Sequence, residues 1–343
     1  MSLSRPTHLF AVVGLAAGTL VLAGCAAPSE PAAADGLSIV ASTIVYGDIA
    51  SQIAGDAATV TSIITSAAQD PHSYEASAQD QLAISKADVV IENGGGYDPF
   101  IDTLLDASGS TAVVINASDT SGLMPEGAEG EKKDHAEGEA HAEGEKHSEE
   151  EKHAEGEAHA EGDDHAHVEG FNEHVWYDFH AMEALADAIA VELSALDPEN
   201  AETFEANAAA FAADLEPLEA MAKELHDRLE GSSVAVTEPV AIYLLAEAGL
   251  DNVTPEEFTE AIEEGADVPP AALNDTLTLV ESGSVVLLAY NSQTASPETE
   301  RIRDAATAAG VPIVEFTETL PDGQNYISWM KSNLEAIKAA LPA

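Results

Sequence analysis

The sequence predicts an α/β protein of two lobes, each with a mostly parallel sheet flanked by helices. Short apolar runs alternate with helical stretches between residues 37 and 116, and the same alternation returns between residues 233 and 341. Between these halves, residues 199–230 form one long helical pattern. Strands that alternate with helices of this length are typical of βαβ units. We therefore expect one long, rigid helix to join the lobes, with a ligand cleft between them.

The elements follow from these patterns in order. Strands are predicted at residues 37–42, 59–64, 87–92 and 111–116 in the first half, and at 233–237, 284–289 and 311–316 in the second. Helices are predicted near 45–55, 77–86, 97–107, 179–196, 270–282 and 324–341, with a further helix reaching residue 248. The predicted domains are a first lobe of residues 37–198, a linking helix of residues 199–231 and a second lobe of residues 232–343.

Three residues mark helix ends and breaks in this prediction. Asp178 can cap the helix that starts after it, because its carboxylate can accept from backbone N–H groups of the first turn. Pro217 lies inside the long helix, where proline can kink it. Gly231 is a suitable stop at the carboxyl end of the same helix.

The first 24 residues are predicted to be a targeting segment. A short start with Arg5 precedes an apolar run over residues 9–22, which is too short for a confident membrane-spanning helix. The run ends in Leu-Ala-Gly-Cys25, which resembles a bacterial lipoprotein processing site and implies a lipid on the Cys25 sulfur. An ordinary signal peptide with an incidental cysteine is the alternative. Cys25 is the only cysteine, so no intramolecular disulfide can form. Residues 25–36 are expected to be a flexible tether.

The charge balance excludes one class of partner. The chain has 63 acidic residues against 12 Lys and Arg, a formal net charge of −51. Such a chain repels nucleic acid and attracts cations. Adaptation to salt is an alternative explanation of the surplus.

Residues 126–167 interrupt the apolar pattern. They contain 16 acids and seven histidines and almost no large apolar residue. Six of the histidines follow a period of six, and the full set is His135, His141, His147, His153, His159, His165 and His167. Because this composition cannot bury enough apolar surface to fold, we expect a disordered loop inserted in the first lobe. Its histidines can act as accessory metal sites, whereas a solvated spacer is the alternative.

Four short segments follow predicted strands or the loop and carry histidines or carboxylates. They are residues 70–75, 172–178, 237–239 and 316–321. In open α/β sheets, ligands bind at the carboxyl ends of the strands. Taken singly, each residue has an ordinary structural role open to it, such as a turn histidine or a surface acid. Together, two imidazoles and two carboxylates predict a site for a first-row divalent metal.

These segments resemble those of the metal-binding solute-binding proteins of bacterial importers for zinc and manganese. The Asp-Pro-His-x-Tyr-Glu motif at residues 70–75 matches that family's first ligand loop, and Asn93-Gly94 also fits. Glu173-His174-Val-Trp176 is similar to its Asp-Pro-His-x-Trp, with Asn172-Glu173 in place of Asp-Pro. A His- and acid-rich loop before the second His is typical of zinc-specific members. The resemblance covers residues 37–343.

The resemblance implies a ligand set. His72 and His174 match the first two ligands. Glu238 matches the third, which is His in many zinc members and Glu in many manganese members. Glu318 matches the fourth, usually Asp. These donors suit Zn²⁺ or Mn²⁺, with iron also open, and the histidine-rich loop favours Zn²⁺.

The resemblance also implies the setting. It predicts a monomer anchored by lipid to the outer face of the cell membrane, which delivers its ion to the permease of an ATP-driven importer with a cytoplasmic ATPase. A metal buffer or adhesin without a transporter, and a secreted metallohydrolase, are the alternatives. The chain has no His-Glu-x-x-His and no Gly-x-Ser-x-Gly motif. Four protein ligands would leave zinc no open position for water, so we expect capture and not catalysis.

Overall fold

The computed structural model describes residues 36–125, 168 and 170–341. The predicted targeting segment, Cys25 and the tether through residue 35 lie outside the described residues. The predicted loop of residues 126–167, with its seven histidines, also lies outside them.

The first lobe is built on a four-stranded parallel sheet. Its strands are β1 (Leu37–Thr43), β2 (Ala58–Ile64), β3 (Val89–Glu92) and β4 (Val113–Asn116), in the order β2-β1-β3-β4. Its helices are α1 (Ile44–Ala54), α2 (Ala78–Ile84), α3 (Phe100–Ser108), α4 (Ala117–Ser121) and α5 (Phe179–Leu196). All four predicted strands are confirmed, and the predicted cap is present because Asp178 Oδ1 accepts from Ala181 N at 2.8 Å.

The second lobe repeats this topology. Its strands are β5 (Ser232–Val236), β6 (Leu250–Asn252), β7 (Leu287–Asn291) and β8 (Ile313–Phe316), in the parallel order β6-β5-β7-β8. Its helices are α7 (Ile242–Glu247), α8 (Glu256–Glu263), α9 (Pro270–Glu281), α10 (Pro297–Ala309) and α11 (Tyr326–Ala340). The sheet therefore has one strand more than the sequence predicts.

Three elements of the second lobe have weak sequence patterns. β6 has three residues, and two of them are exposed, so it shows no apolar run. α10 buries only Thr299, Ile302 and Ala306, a stripe too narrow to stand out among its charged residues. α8 has an apolar face of Phe258, Ala261 and Ile262 but is only eight residues long. β7 also begins three residues later than predicted, because residues 284–286 precede the paired segment.

The long helix α6 (Ala201–Leu229) lies between the lobes. Its buried residues recur every three or four positions and are Phe204, Ala208, Phe211, Leu215, Leu218, Ala222, Leu225 and Leu229. This stripe packs against α1 and α5 of the first lobe and α7 and α11 of the second. The helix continues through Pro217 and ends at Leu229, two residues before Gly231, whose φ is +76°. One hydrophobic core thus spans both sheets.

Hydrogen bonds also cross between the lobes near the carboxyl ends of the strands. Tyr177 Oη donates to Thr317 O at 2.7 Å, and Tyr243 Oη donates to Asn172 O at 2.7 Å. These bonds hold the loops of the two lobes that carry the predicted ligands against each other. In the described ranges, no helix is both long and apolar enough to cross a bilayer.

Candidate metal centre

His72 lies on the loop between β2 and α2. Asp70 closes a turn around it, because its carboxylate accepts from His72 N at 3.0 Å and from Ser73 Oγ at 2.6 Å. The imidazole meets the ring of Tyr97 edge-on, with 4.9 Å between the ring centroids. The turn and the aromatic contact together fix the direction in which His72 points.

His174 is 1% exposed and is oriented by Asn172. Asn172 Nδ2 donates to Pro239 O at 2.9 Å, which turns its Oδ1 toward the imidazole, 2.7 Å from Nδ1. An amide oxygen only accepts, so Nδ1 carries the proton and the lone pair is on Nε2. A hydrogen bond of this kind behind a metal-binding histidine sets its tautomer and ring orientation.

Two aromatic residues form a wall behind both imidazoles. Tyr97 and Trp176 are buried, with 4.7 Å between their ring centroids. Tyr97 lies 5.8 Å from the His174 ring, and Trp176 lies 5.1 Å from it. This wall excludes water from one side of the site. Tyr97 was not singled out from the sequence, since an aromatic after a glycine-rich turn carries no local signal for such a role.

The two predicted carboxylates are buried, with Glu238 5% and Glu318 4% exposed. Asn291 is the last residue of β7, and its side-chain amide donates to both carboxylates. The bond to Glu318 Oε1 is 2.7 Å long. Thr294 Oγ1 donates to Glu238 at 2.6 Å, and Tyr97 Oη donates to Glu318 Oε2 at 3.2 Å. These donors hold the two carboxyl groups close together, and none of the three is a basic residue. Asn291 was not predicted from the sequence.

The structure brings three of the four predicted ligands together. His72, His174 and Glu318 each offer a ligand atom, and these atoms lie within 4.8 Å of one another. Tetrahedral zinc at 2.0–2.2 Å from its ligands would bring such atoms to roughly 3.5 Å apart. The trio therefore needs only a modest contraction to hold an ion. Glu238 lies outside this trio and is tied to Glu318 through Asn291.

Burial and nearby negative charge make these carboxylates hold protons in the absence of a cation. Burial, and then the charge of Glu318, raises the pKa of Glu238 to about 8. Burial raises the pKa of Glu318 to about 7, although the Asn291 hydrogen bond lowers it. A divalent cation would offset both effects, because it favours the charged form of each carboxylate. The donor set thus fits a cation.

Two further carboxylates lie beside the site, and the sequence analysis assigned a role to neither. Glu173 precedes His174 and is buried, and Glu263 is the last residue of α8. Glu263 Oε1 lies 3.7 Å from His174 Nδ1. Burial, followed by the charge of Glu173, raises the pKa of Glu263 to about 10. Glu173 stands in an unusual Asn-Glu pair, a signal that could have been used, whereas Glu263 lies in a helix that the sequence did not predict.

His180 lies outside the trio of candidate ligands. It lies in the first turn of α5 with 76% of its side chain exposed, and its Nδ1 is 3.7 Å from Glu219 on α6. Glu183 completes a partly exposed group with these two residues.

A cavity of about 850 Å³ opens in the cleft between the lobes. Asp70, His72 and Ser73 of the first lobe line one side, and residues 261–267, 293–296 and 298 of the second line the other. Among the described residues that line it, the acids are Asp70, Glu263, Glu264, Asp267 and Glu298, and there is no Lys or Arg. The cavity therefore leads cations from solvent to His72.

Known proteins resemble this chain in sequence and in fold. The chain is 28% identical to the zinc-binding lipoprotein AdcA of Streptococcus pneumoniae over 93% of its own length, and the match spans 58% of that longer protein. It is 27% identical to the manganese-binding lipoprotein MntA of Halalkalibacterium halodurans, over 68% of this chain and 66% of that one. The nickel-bound solute-binding protein FpvC of Pseudomonas aeruginosa has a similar structure, with a TM-score of 0.65, 25% identity and coverage of 89% and 96% of the two chains.

These relatives are named as binding proteins and not as enzymes. The profile of one family matches residues 39–340, which is nearly all of the described chain. The chain therefore belongs to the ZnuA family, the periplasmic component A of zinc-uptake complexes.

Proposed function

We propose that this protein captures a divalent transition-metal ion in the cleft between its lobes and delivers it to the permease of an ATP-driven importer. The observation that carries the proposal is the convergence of His72, His174 and Glu318 at the carboxyl ends of two parallel sheets, with Glu238 adjacent. Ligand atoms from both lobes meet in one buried place, so an ion bound there would hold the cleft closed.

Zinc is the ion that we propose. Two imidazoles and two carboxylates accept either zinc or manganese, and such a site holds zinc more tightly by the Irving–Williams order. The histidine-rich stretch of residues 126–167 supports zinc, because imidazole suits zinc better than manganese. Glu238, in the position where His would favour zinc, is the feature that keeps manganese or iron as the alternative. Relatives named for zinc and for manganese are compatible with both.

The anchor and partners belong to the same proposal. Cys25 would carry the lipid that holds the protein at the outer face of the membrane, and the permease and its ATPase would be the partners. The acidic cleft supports the capture of cations, because negative potential at the mouth of a cavity raises their local concentration.

Competitive titration with a coloured zinc chelator tests the proposal. The mature chain should bind one zinc ion tightly, with and without residues 126–167. His72→Ala and His174→Ala should each remove that tight site, while His226→Ala on α6 should leave it unchanged. Loss of all tight binding on removal of residues 126–167 would show that the cleft is not the capture site. Preference for manganese when both ions are buffered to cellular levels would overturn the assignment to zinc.

A further inference from the structure

His72 belongs to two groups of potential ligands. The first group is the trio with His174 and Glu318, and the second joins His72 with Glu173 and Glu263, whose ligand atoms again lie within 4.8 Å of one another. The second group uses an imidazole and two carboxylates. Such donors are sufficient for a divalent transition metal.

Glu263 points into this second group from a buried position. Its side chain is only 10% exposed, yet its Oε1 accepts no hydrogen bond from the described residues. Burying a carboxylate oxygen without a hydrogen-bond donor costs free energy and needs an explanation. A cation that binds at this position is one such explanation. Glu263 also lines the interlobe cavity together with His72. The second group is therefore within reach of ions from solvent.

The two groups define separate positions and not one enlarged site. Glu263 approaches His174 from the side of Nδ1, whereas the lone pair of that imidazole is on Nε2. An ion on Nε2 of His174 therefore lies on the far side of the ring from Glu263. Glu263 and Glu318 accordingly fall in different trios.

We propose that His72, Glu173 and Glu263 form an outer coordination position for the same ion, which occupies it before reaching the inner position at His174 and Glu318. This inference rests on the proposed function and adds a step to it. The outer position lies at the cavity and the inner one lies against the wall of Tyr97 and Trp176.

The outer position is tested where the inner one has been weakened. The starting variant is the full mature chain with its seven loop histidines changed to glutamine, which removes their zinc binding. In this variant, Glu238→Gln and Glu318→Gln together leave the inner position with imidazoles alone. This background should still bind one zinc ion, and X-ray absorption should count one imidazole ligand in place of two. Adding Glu263→Gln should weaken the remaining binding at least about tenfold.

Glu264→Gln is the matched control, since it removes the same charge from the neighbouring residue of the same cavity. It should leave the residual affinity unchanged. Equal effects of the two glutamines, two imidazoles in the background, or no residual zinc would each overturn the outer position. Thermal unfolding of every variant identifies any that fails to fold, and Glu173→Gln then replaces Glu263→Gln.

The two proposals can fail separately. If His72→Ala and His174→Ala leave the tight site of the otherwise unaltered chain intact, the proposed function itself is wrong. If they remove it while Glu263→Gln matches its control, only the outer position is wrong.

Discussion

Replacing Asn291 by alanine should weaken metal binding while leaving the fold intact. Its side-chain amide donates to Glu238 and, at 2.7 Å, to Glu318, so it is the group that holds the two buried carboxylates side by side. The residue ends β7, and its backbone N–H donates to Thr237 Oγ1 at 3.0 Å. Alanine keeps that backbone bond and removes only the shared donor.

The magnitude follows from the two lost hydrogen bonds. Each bond to a charged group contributes about 1.5–3 kcal/mol, but in the loaded protein the ion takes over part of that role. We therefore expect the loss typical of a residue that orients metal ligands, about 10- to 100-fold in affinity, or about 1.4–2.8 kcal/mol. Asn291 also lowers the pKa of both carboxylates, so its removal favours their protonated forms.

The pH dependence of this variant has a definite sign. Bound protons compete with the ion, so wild-type affinity should rise with pH toward about 8, where Glu238 loses its proton. In the Asn291→Ala variant the pKa values of Glu238 and Glu318 are higher still, which moves this rise to higher pH. The deficit relative to wild type should therefore be larger at pH 6 than at pH 9.

Chelator competition at several pH values measures both effects. Asn274→Ala, an exposed asparagine on α9, is the control for expression and folding. Wild-type affinity at every pH, in a variant with an unchanged unfolding midpoint, would refute the claim that the shared amide organises the ligands.

Three other predictions concern stability. Burial raises the pKa of Glu92 to about 8, so between about pH 4.5 and 8 the folded state holds a proton that the unfolded state has lost, and stability falls as pH rises. Glu92→Gln should therefore raise the unfolding midpoint by a few degrees at pH 9 and leave it unchanged at pH 4. Equal shifts at both pH values would contradict this. Gly94→Ala should lower the free energy of unfolding by at least about 1–2 kcal/mol, because φ is +72° and the new Cβ would lie 2.1 Å from the Asn116 amide. Gly109→Ala is the control, since φ is +61° and a new Cβ would have nothing within 4 Å, and it should cost clearly less in urea unfolding. Phe211→Ala in the middle of α6 should cost about 3–5 kcal/mol in the same assay, and a loss below 1 kcal/mol would mean that the buried stripe of α6 does not hold the lobes.

Much of the fold could be predicted because its signals are local. The run that became β1 contains the apolar stretch Ile39-Val-Ala41, and α5 begins at Phe179, after its cap Asp178, and ends at Leu196 as its pattern predicts. Local signals failed where burial is slight, as in β6 and α10. The order of the strands is not a local property either, since it depends on which neighbour each strand meets after the chain has crossed the sheet.

The sequence by itself determined that the protein has two α/β halves, and its motifs pointed to His72, His174, Glu238 and Glu318 as candidate ligands. Only the tertiary structure decided which of these groups meet, because residues more than 240 positions apart become neighbours only when two sheets pack with their carboxyl ends together. The same packing adds two residues to the site that no spacing along the chain could predict. Asn291 joins two carboxylates from its place between them, and Glu263 reaches the imidazoles from the short helix α8, which the sequence did not predict.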